Sequence, residues 1–282
     1  MSMLHSFFAW GQIFVVLATT GLLAVWGAAR WQWIVLLWAA PPVAGAVLFC
    51  RVPLARKNGG APPLPLRALA RKGVFYALLA AIVLGGAAEV TMAQWASAFL
   101  EKGLRLPKLA GDVWGVCFFS LMLALGRSGY AALGARVPLH RLLIGGSGAA
   151  AVLYVVCALA QSPLLGVLAC GLTGLCVSLL WPGAIILASR RIPSAGAAMF
   201  ALLSAGGDVG ASLGAFCVGR AADWAQASGT VFAGAAGESG ALRAGLLLAA
   251  VFPLLCCGVH TALHCTEARG GLPAGSERRR RQ

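Results

Sequence analysis

The sequence predicts an all-α polytopic membrane bundle of about eight transmembrane helices, and composition carries most of that prediction. Of 282 residues, 60% are hydrophobic and only 11% are charged; an ordinary soluble domain has about 45–50% and about 25%. Mean hydropathy is +0.85. Eight Asp and Glu residues cannot cover the surface of one or two soluble domains of this length. A soluble enzyme and a disordered chain are thereby excluded. Against this stands a net charge of +14, which suits either nucleic acid or an anionic membrane surface. The positions of the charges decide between them.

A transmembrane helix needs roughly 20 apolar residues to cross about 30 Å of hydrocarbon. Residues 1–29 carry no charge, and Phe7–Ala29 forms the first span. Trp31–Cys50 is the second, and Gly73–Leu100 the third, with one acid inside. Val113–Ala135 is the fourth, with Arg127 near its end. Leu142–Ala160, Pro163–Ala188, Ser194–Gly219 (again with one acid) and Ala244–His264 complete the eight. Spanning strands need an alternation of apolar and polar residues that is absent here. The N-terminus does not read as a cleaved leader, because no basic residue precedes Leu4 and Phe7–Ala29 is too long for a signal core.

An even number of helices puts both termini on one side. That side holds Arg51, Arg56, Lys57, Arg67, Arg71 and Lys72, then Arg127, Arg136 and Arg141, then Arg190, Arg191, Arg269 and Arg278 to Arg281. These are sixteen of the 22 basic residues; the other side holds Arg30, Lys102, Arg105, Lys108, Arg220 and Arg243. Lys and Arg enrich cytoplasmic loops, so both termini are expected in the cytoplasm of a cell inner-membrane protein. The charge then records orientation and needs no nucleic-acid partner. Four regions follow: two helices in 1–51, a basic linker in 52–72, a six-helix block in 73–264 and a basic tail in 265–282. Gly59, Gly60, Pro62, Pro63 and Pro65 argue against any helix in the linker. The Arg278–Arg281 block reads as a solvated end, with contact to anionic lipid as the alternative.

Several local patterns occur in a family-like order. They are Leu4-His5-Ser6-Phe7-Phe8-Ala9-Trp10-Gly11, then Gly85-Gly86-Ala87-Ala88-Glu89 with Trp95, then Gly126-Arg127 followed by Arg136 and Arg141. Trp181-Pro182-Gly183 and Gly206-Gly207-Asp208-Val209-Gly210 complete the series. In this order the chain resembles major facilitator superfamily transporters of the sugar-transporter-like branch. The patterns resemble parts of helices five, seven, the eight–nine loop, ten and eleven. The resemblance implies a major facilitator-like fold matching family helices five to twelve, without the first four. It also implies secondary transport of a small-molecule substrate, a sugar or drug-like compound, by rocking about a midplane site. A coupling proton or cation is a candidate partner. Family members that couple to protons often carry the acids on helices one and four, which have no counterpart here.

Two acids lie inside spans, and an intramembrane acid must face protein or water. Glu89 shares its helix face with Gly85, Gly86, Ala93 and Ala96, which leaves room for a ligand or a close helix. Gln94 and Trp95 lie well around that helix. Asp208 has Ser204 and Ser212 four residues to either side. Gly206, Gly210 and Gly214 repeat at about 200° from it and form a close-packing row. That predicts a tightly packed glycine side and an Asp208 shown to the bundle interior. Arg127 either snorkels to the interface or pairs with an acid in a cavity. Pro182 should kink its helix. His5 and Gln12 share a face of the first helix. The substrate-binding or gating candidates are thus Glu89, Asp208, Trp95, Gln94, Arg127, His5 and Gln12.

No catalytic residue, metal site or cofactor is expected. The nine cysteines include no C-x-x-C pair, and Cys in a span packs as a small hydrophobe. His260 and His264 are four apart but lack a zinc-motif context. No phosphate-binding Walker loop is present. Two other readings compete with transport. One is a truncated, non-transporting fragment or interaction subunit, prompted by the four unmatched helices. The other is an intramembrane enzyme, which needs a nucleophile–base pair that the spacing of Ser, His and Cys does not offer.

Overall fold

The computed structural model describes residues 2–52, 64–134 and 136–269. Eight helical segments in it are long and apolar enough to cross a membrane. They are α1 (His5–Trp26), α2 (Ala28–Arg51), α3 (Gly73–Gly103), α4 (Lys108–Leu133), α5 (Leu139–Leu159), α6 (Pro163–Arg191), α7 (Gly196–Ala227) and α8 (Gly237–Ala268). The shortest has 21 residues, enough for about 30 Å at roughly 1.5 Å per residue. Among the described residues the one extended pairing is an isolated bridge between Phe232 and Ala235. The chain is a multi-pass, all-helical membrane protein.

Three spans are interrupted, each just before a proline. α2 is interrupted at Ala39, ahead of Pro41 and Pro42. α6 breaks at Ser178–Leu179, ahead of Pro182. α8 breaks at Ala250, ahead of Pro253. Proline lacks the amide that would bond four residues back, so each break marks where the backbone ladder loses a rung.

Contacts at the two ends show that the spans alternate in direction. At one end the Leu64 amide donates to Ser194 O at 2.9 Å, Arg191 reaches Leu263 O and Glu267, and His140 stacks on His264 at 3.9 Å. At the other end Lys102 pairs with Glu238 at 2.6 Å, and Ser239 Oγ donates to Gly103 O. Gln161 Nε2 donates to Ala233 O there as well.

α3 is the central helix. It packs on α7 along a seam whose α7 side is a row of glycines. A Cβ at Gly206 would meet Leu79, one at Gly210 the Val83 carbonyl, and one at Gly214 Ala87 and Thr91. Gly86 of α3 lies against the Gly207 carbonyl, and the Trp181 ring caps both glycines. Close backbone approach of this kind is what spaced small residues permit in a membrane. α5 is fastened to α3 by the Tyr154 hydroxyl, which donates to Ala88 O at 2.7 Å. The main core gathers Phe99, Phe119, Leu123, Leu143, Tyr154 and Leu180 around this centre. α1 packs along α4, while most of α1 and α2 is exposed. Exposed residues such as Phe7, Phe14, Trp33 and Phe49 are where lipid meets a spanning helix.

Several boundaries differ from the sequence expectation. A short helix, Leu66–Ala70, lies inside the segment read as a helix-free linker. It forms because Leu69 buries into a cluster with Phe75, Met199 and Leu263, which local composition does not reveal. Residues 53–63 of that linker, with Arg56, Lys57 and the glycines, lie outside the described residues, as do 270–282 with Arg278 to Arg281. Helix continues through Ala268, into the region assigned to the tail. α8 begins at Gly237 rather than Ala244, which moves Arg243 from a loop into the second turn of a helix.

The seam predicts an unequal response to the same substitution. Gly210→Ala pushes a methyl into the Val83 carbonyl, and overpacking costs about 1–3 kcal/mol. Gly258→Ala meets nothing within 4 Å and should be neutral or slightly stabilising. Thermal unfolding of the two variants in detergent checks this difference.

Candidate functional site

Glu89 is on the middle turns of α3, and Arg127 is two turns from the end of α4. Arg127 Nη2 donates to Glu89 Oε1 at 2.6 Å and to Oε2 at 2.7 Å. The two side chains are only 3% and 4% exposed. Of the two readings open for Arg127, pairing with an acid is the one its geometry adopts. Small residues make the arrangement possible. Gly85 and Gly86 let α6 and α7 close over α3. Gly126, beside Arg127, has room only for a hydrogen where Ser178 presses on α4.

The remaining donors of the guanidinium are also engaged. Nε donates to the Ser178 carbonyl at 3.0 Å, and Nη1 to the His5 carbonyl at 3.1 Å. The Ser178 bond follows from covalent structure. The usual helical partner of that carbonyl would be the amide four residues on, which is Pro182 and has none. The break in α6 therefore leaves an acceptor at the core, and Arg127 takes it. One arginine thus joins α1, α3, α4 and the broken α6. The Phe8 ring stands 6.0 Å from its guanidinium carbon, within range of a cation–π contact.

The other expected residues are spread around this knot. His5 contributes its backbone carbonyl, and its ring is half-buried. Gln12 lies farther along α1, half-buried, with a buried Oε1 that has no hydrogen-bond partner among the described residues. Trp95 spans the α3–α7 seam, its Nε1 donating to Ala215 O at 3.1 Å. Gln94 is exposed on the other side of α3. Asp208 is a correction: it was expected to face the bundle interior, and it is exposed. Its helix meets α3 through the glycine row, so the opposite face, with Asp208 and Ser212, points away from that contact. Asp208 and the Glu89–Arg127 pair do not form one cluster.

A second buried arginine was not anticipated. Arg243 of α8 is 3% exposed. Its Nη1 donates to Ala160 O at 2.5 Å and to Ala158 O at 3.2 Å, and its Nη2 reaches Gly103 O at 3.3 Å. It satisfies carbonyls that the end of α5 and the π-helical end of α3 leave open. The sequence signal was Gly237-Glu238-Ser239, a polar opening to an apolar run. Among the described residues no group of three His, Cys, Asp or Glu side chains could hold a metal ion.

Breaking the pair from one side should be far worse than removing it. Glu89→Gln leaves a buried cation uncompensated, at a cost of about 3–5 kcal/mol. Adding Arg127→Gln should recover much of that loss, a strong positive coupling in a double-mutant cycle read by chemical unfolding. The chain matches no family model, no curated protein and no solved structure.

Proposed function

We propose that the protein is a secondary active transporter of a small solute, a sugar or similar small molecule or a drug-like compound, working by alternating access in a cell inner membrane. The observation that carries this reading is the buried Glu89–Arg127 pair, in which Nη2 meets both carboxylate oxygens while Nε is joined to the break in α6. Ionisable groups inside a membrane are costly, and mark substrate paths and proton relays. A discontinuous helix at such a site gives it a place to change shape. The order of the motifs that resemble parts of major facilitator helices five to eleven supports the same reading. The surplus of basic residues on the side of the termini supports cytoplasmic ends. Protonation of Glu89 would release Arg127, which makes the pair the point where a proton or an anionic part of the solute can act.

The reading is tested in reconstituted vesicles with a panel of radiolabelled sugars, organic acids and lipophilic cations, with and without a pH gradient. The parent chain should accumulate at least one solute. The Glu89→Gln/Arg127→Gln chain, folded and inserted, should lose at least tenfold in initial rate. Equal rates in the two chains would sink the site; accumulation of no solute by the parent would sink the function.

One observation favours a second reading, an interaction subunit. Asp208 is exposed in the middle of α7, and a carboxylate facing lipid is unfavourable by at least ~2.5–3.5 kcal/mol. Another protein element covering it would remove that cost. On this reading Asp208→Leu should lower the assembly mass seen by light scattering in mild detergent, and Asp208→Asn should lower it less.

A further inference from the structure

A lateral cleft of about 480 Å³ opens between α4, α5 and α6. It is separate from the Glu89–Arg127 pair, although its deep end touches Ser178 and Leu179, the break in α6. Its rim residues Leu125 and Leu175 are 46% and 43% exposed, so it faces the membrane. We propose that this cleft is a binding site for one glycerophospholipid with an anionic head group, an acyl chain lying in the cleft and the phosphate on Arg141.

The shape comes first. Gly129 of α4 and Gly145 of α5 both line the cleft. A Cβ on either would meet nothing within 4 Å. The chain therefore leaves space here that its own backbone does not need for packing. Their neighbours differ: Gly126 and Gly146 also line the cleft, but each has Ser178 or Cys176 where a Cβ would stand. The close contacts hold the three helices together below, and the open glycines keep the groove above them clear. The space of about 480 Å³ is far less than a spanning helix of about 10–12 Å diameter fills, and it suits a single hydrocarbon chain.

Chemistry fixes the orientation. The walls are mostly leucine and glycine, while Arg141 and Tyr130 lie close to the residues joining α4 to α5. That is the end of the bundle where His140 meets His264, at the level where head groups sit. Arg141 is exposed and forms no ion pair among the described residues. Arg136 stands exposed nearby in the chain. An apolar slot with a cation at its membrane-surface end is complementary to an anionic lipid, and basic pockets between spans bind such head groups.

The test is lipid retention by delipidated protein, read by native mass spectrometry with phosphatidylglycerol and phosphatidylcholine of matched chains. The parent should retain phosphatidylglycerol about fivefold or more over phosphatidylcholine, the effect of one arginine near the surface. Arg141→Gln should bring the two lipids level, and Arg136→Gln, outside the cleft, should leave the preference in place. Gly145→Leu fills open space, so it should keep or raise the unfolding temperature while losing both lipids; Gly129→Leu should repeat this from the facing helix. Equal retention of the two lipids by the parent overturns the proposal. So does phosphatidylglycerol retention that survives both leucine variants, or equal protection from unfolding by inorganic phosphate alone. None of these readouts involves transport, so the site stands or falls apart from the proposed function.

Discussion

A guanidinium enclosed among membrane helices has five N–H donors and no way to reach water. Everything around Arg127 follows from that constraint. Its charge is met by both oxygens of Glu89, and other donors go to backbone carbonyls on α6 and α1. Because those partners sit on three other spans, the register of α1, α3, α4 and α6 against one another is fixed at one point. Replacing the pair by apolar residues could hold the bundle together at least as well. Its presence at the core therefore weighs more as a clue to action than as a source of stability.

The two buried arginines solve the same problem in different ways. Arg127 is neutralised by an acid and also completes a backbone that proline interrupts. Arg243 has backbone carbonyls at the end of two helices as its partners, with the Phe99 ring 5.8 Å away. In both cases a backbone acceptor exists because a helix ends or breaks, at Ser178 for Arg127 and at Gly103, Ala158 and Ala160 for Arg243. Lipid cannot supply donors to such carbonyls, so a membrane protein must find them within itself. A proline or a helix terminus in a span is thus coupled to whichever long polar side chain can reach it.

Hydropathy made the eight spans legible, because crossing hydrocarbon leaves a signal in every residue of a helix. The small neighbours of Glu89 were legible for the same local reason: residues three and four apart share a face. What stayed open was the partner of Arg127, since it depends on how α3 and α4 slide against each other. Asp208 was misplaced because a helix with one small-residue row has an obvious packed side, but nothing in its own sequence says whether the opposite side is covered by this chain. Arg243 was lost among loop charges, as the polar start of α8 hides that helix's first two turns from an apolar window. The Leu66–Ala70 helix exists through the burial of Leu69, a long-range contact that the surrounding prolines and glycines mask.

The seam between α3 and α7 has a mechanical side. Where two helices touch through side chains, rotamer changes let one slip past the other in small steps. Here Gly210 lies on the Val83 carbonyl and Gly86 on the Gly207 carbonyl, with the Trp181 ring wedged against Gly86 and Gly207, and the α7 side of the seam has few side-chain torsions to turn. The two helices form a single stiff spar through the bundle. Any large displacement must then be taken up at its flanks, and α6, already missing a rung beside that spar, is the softest joint within reach.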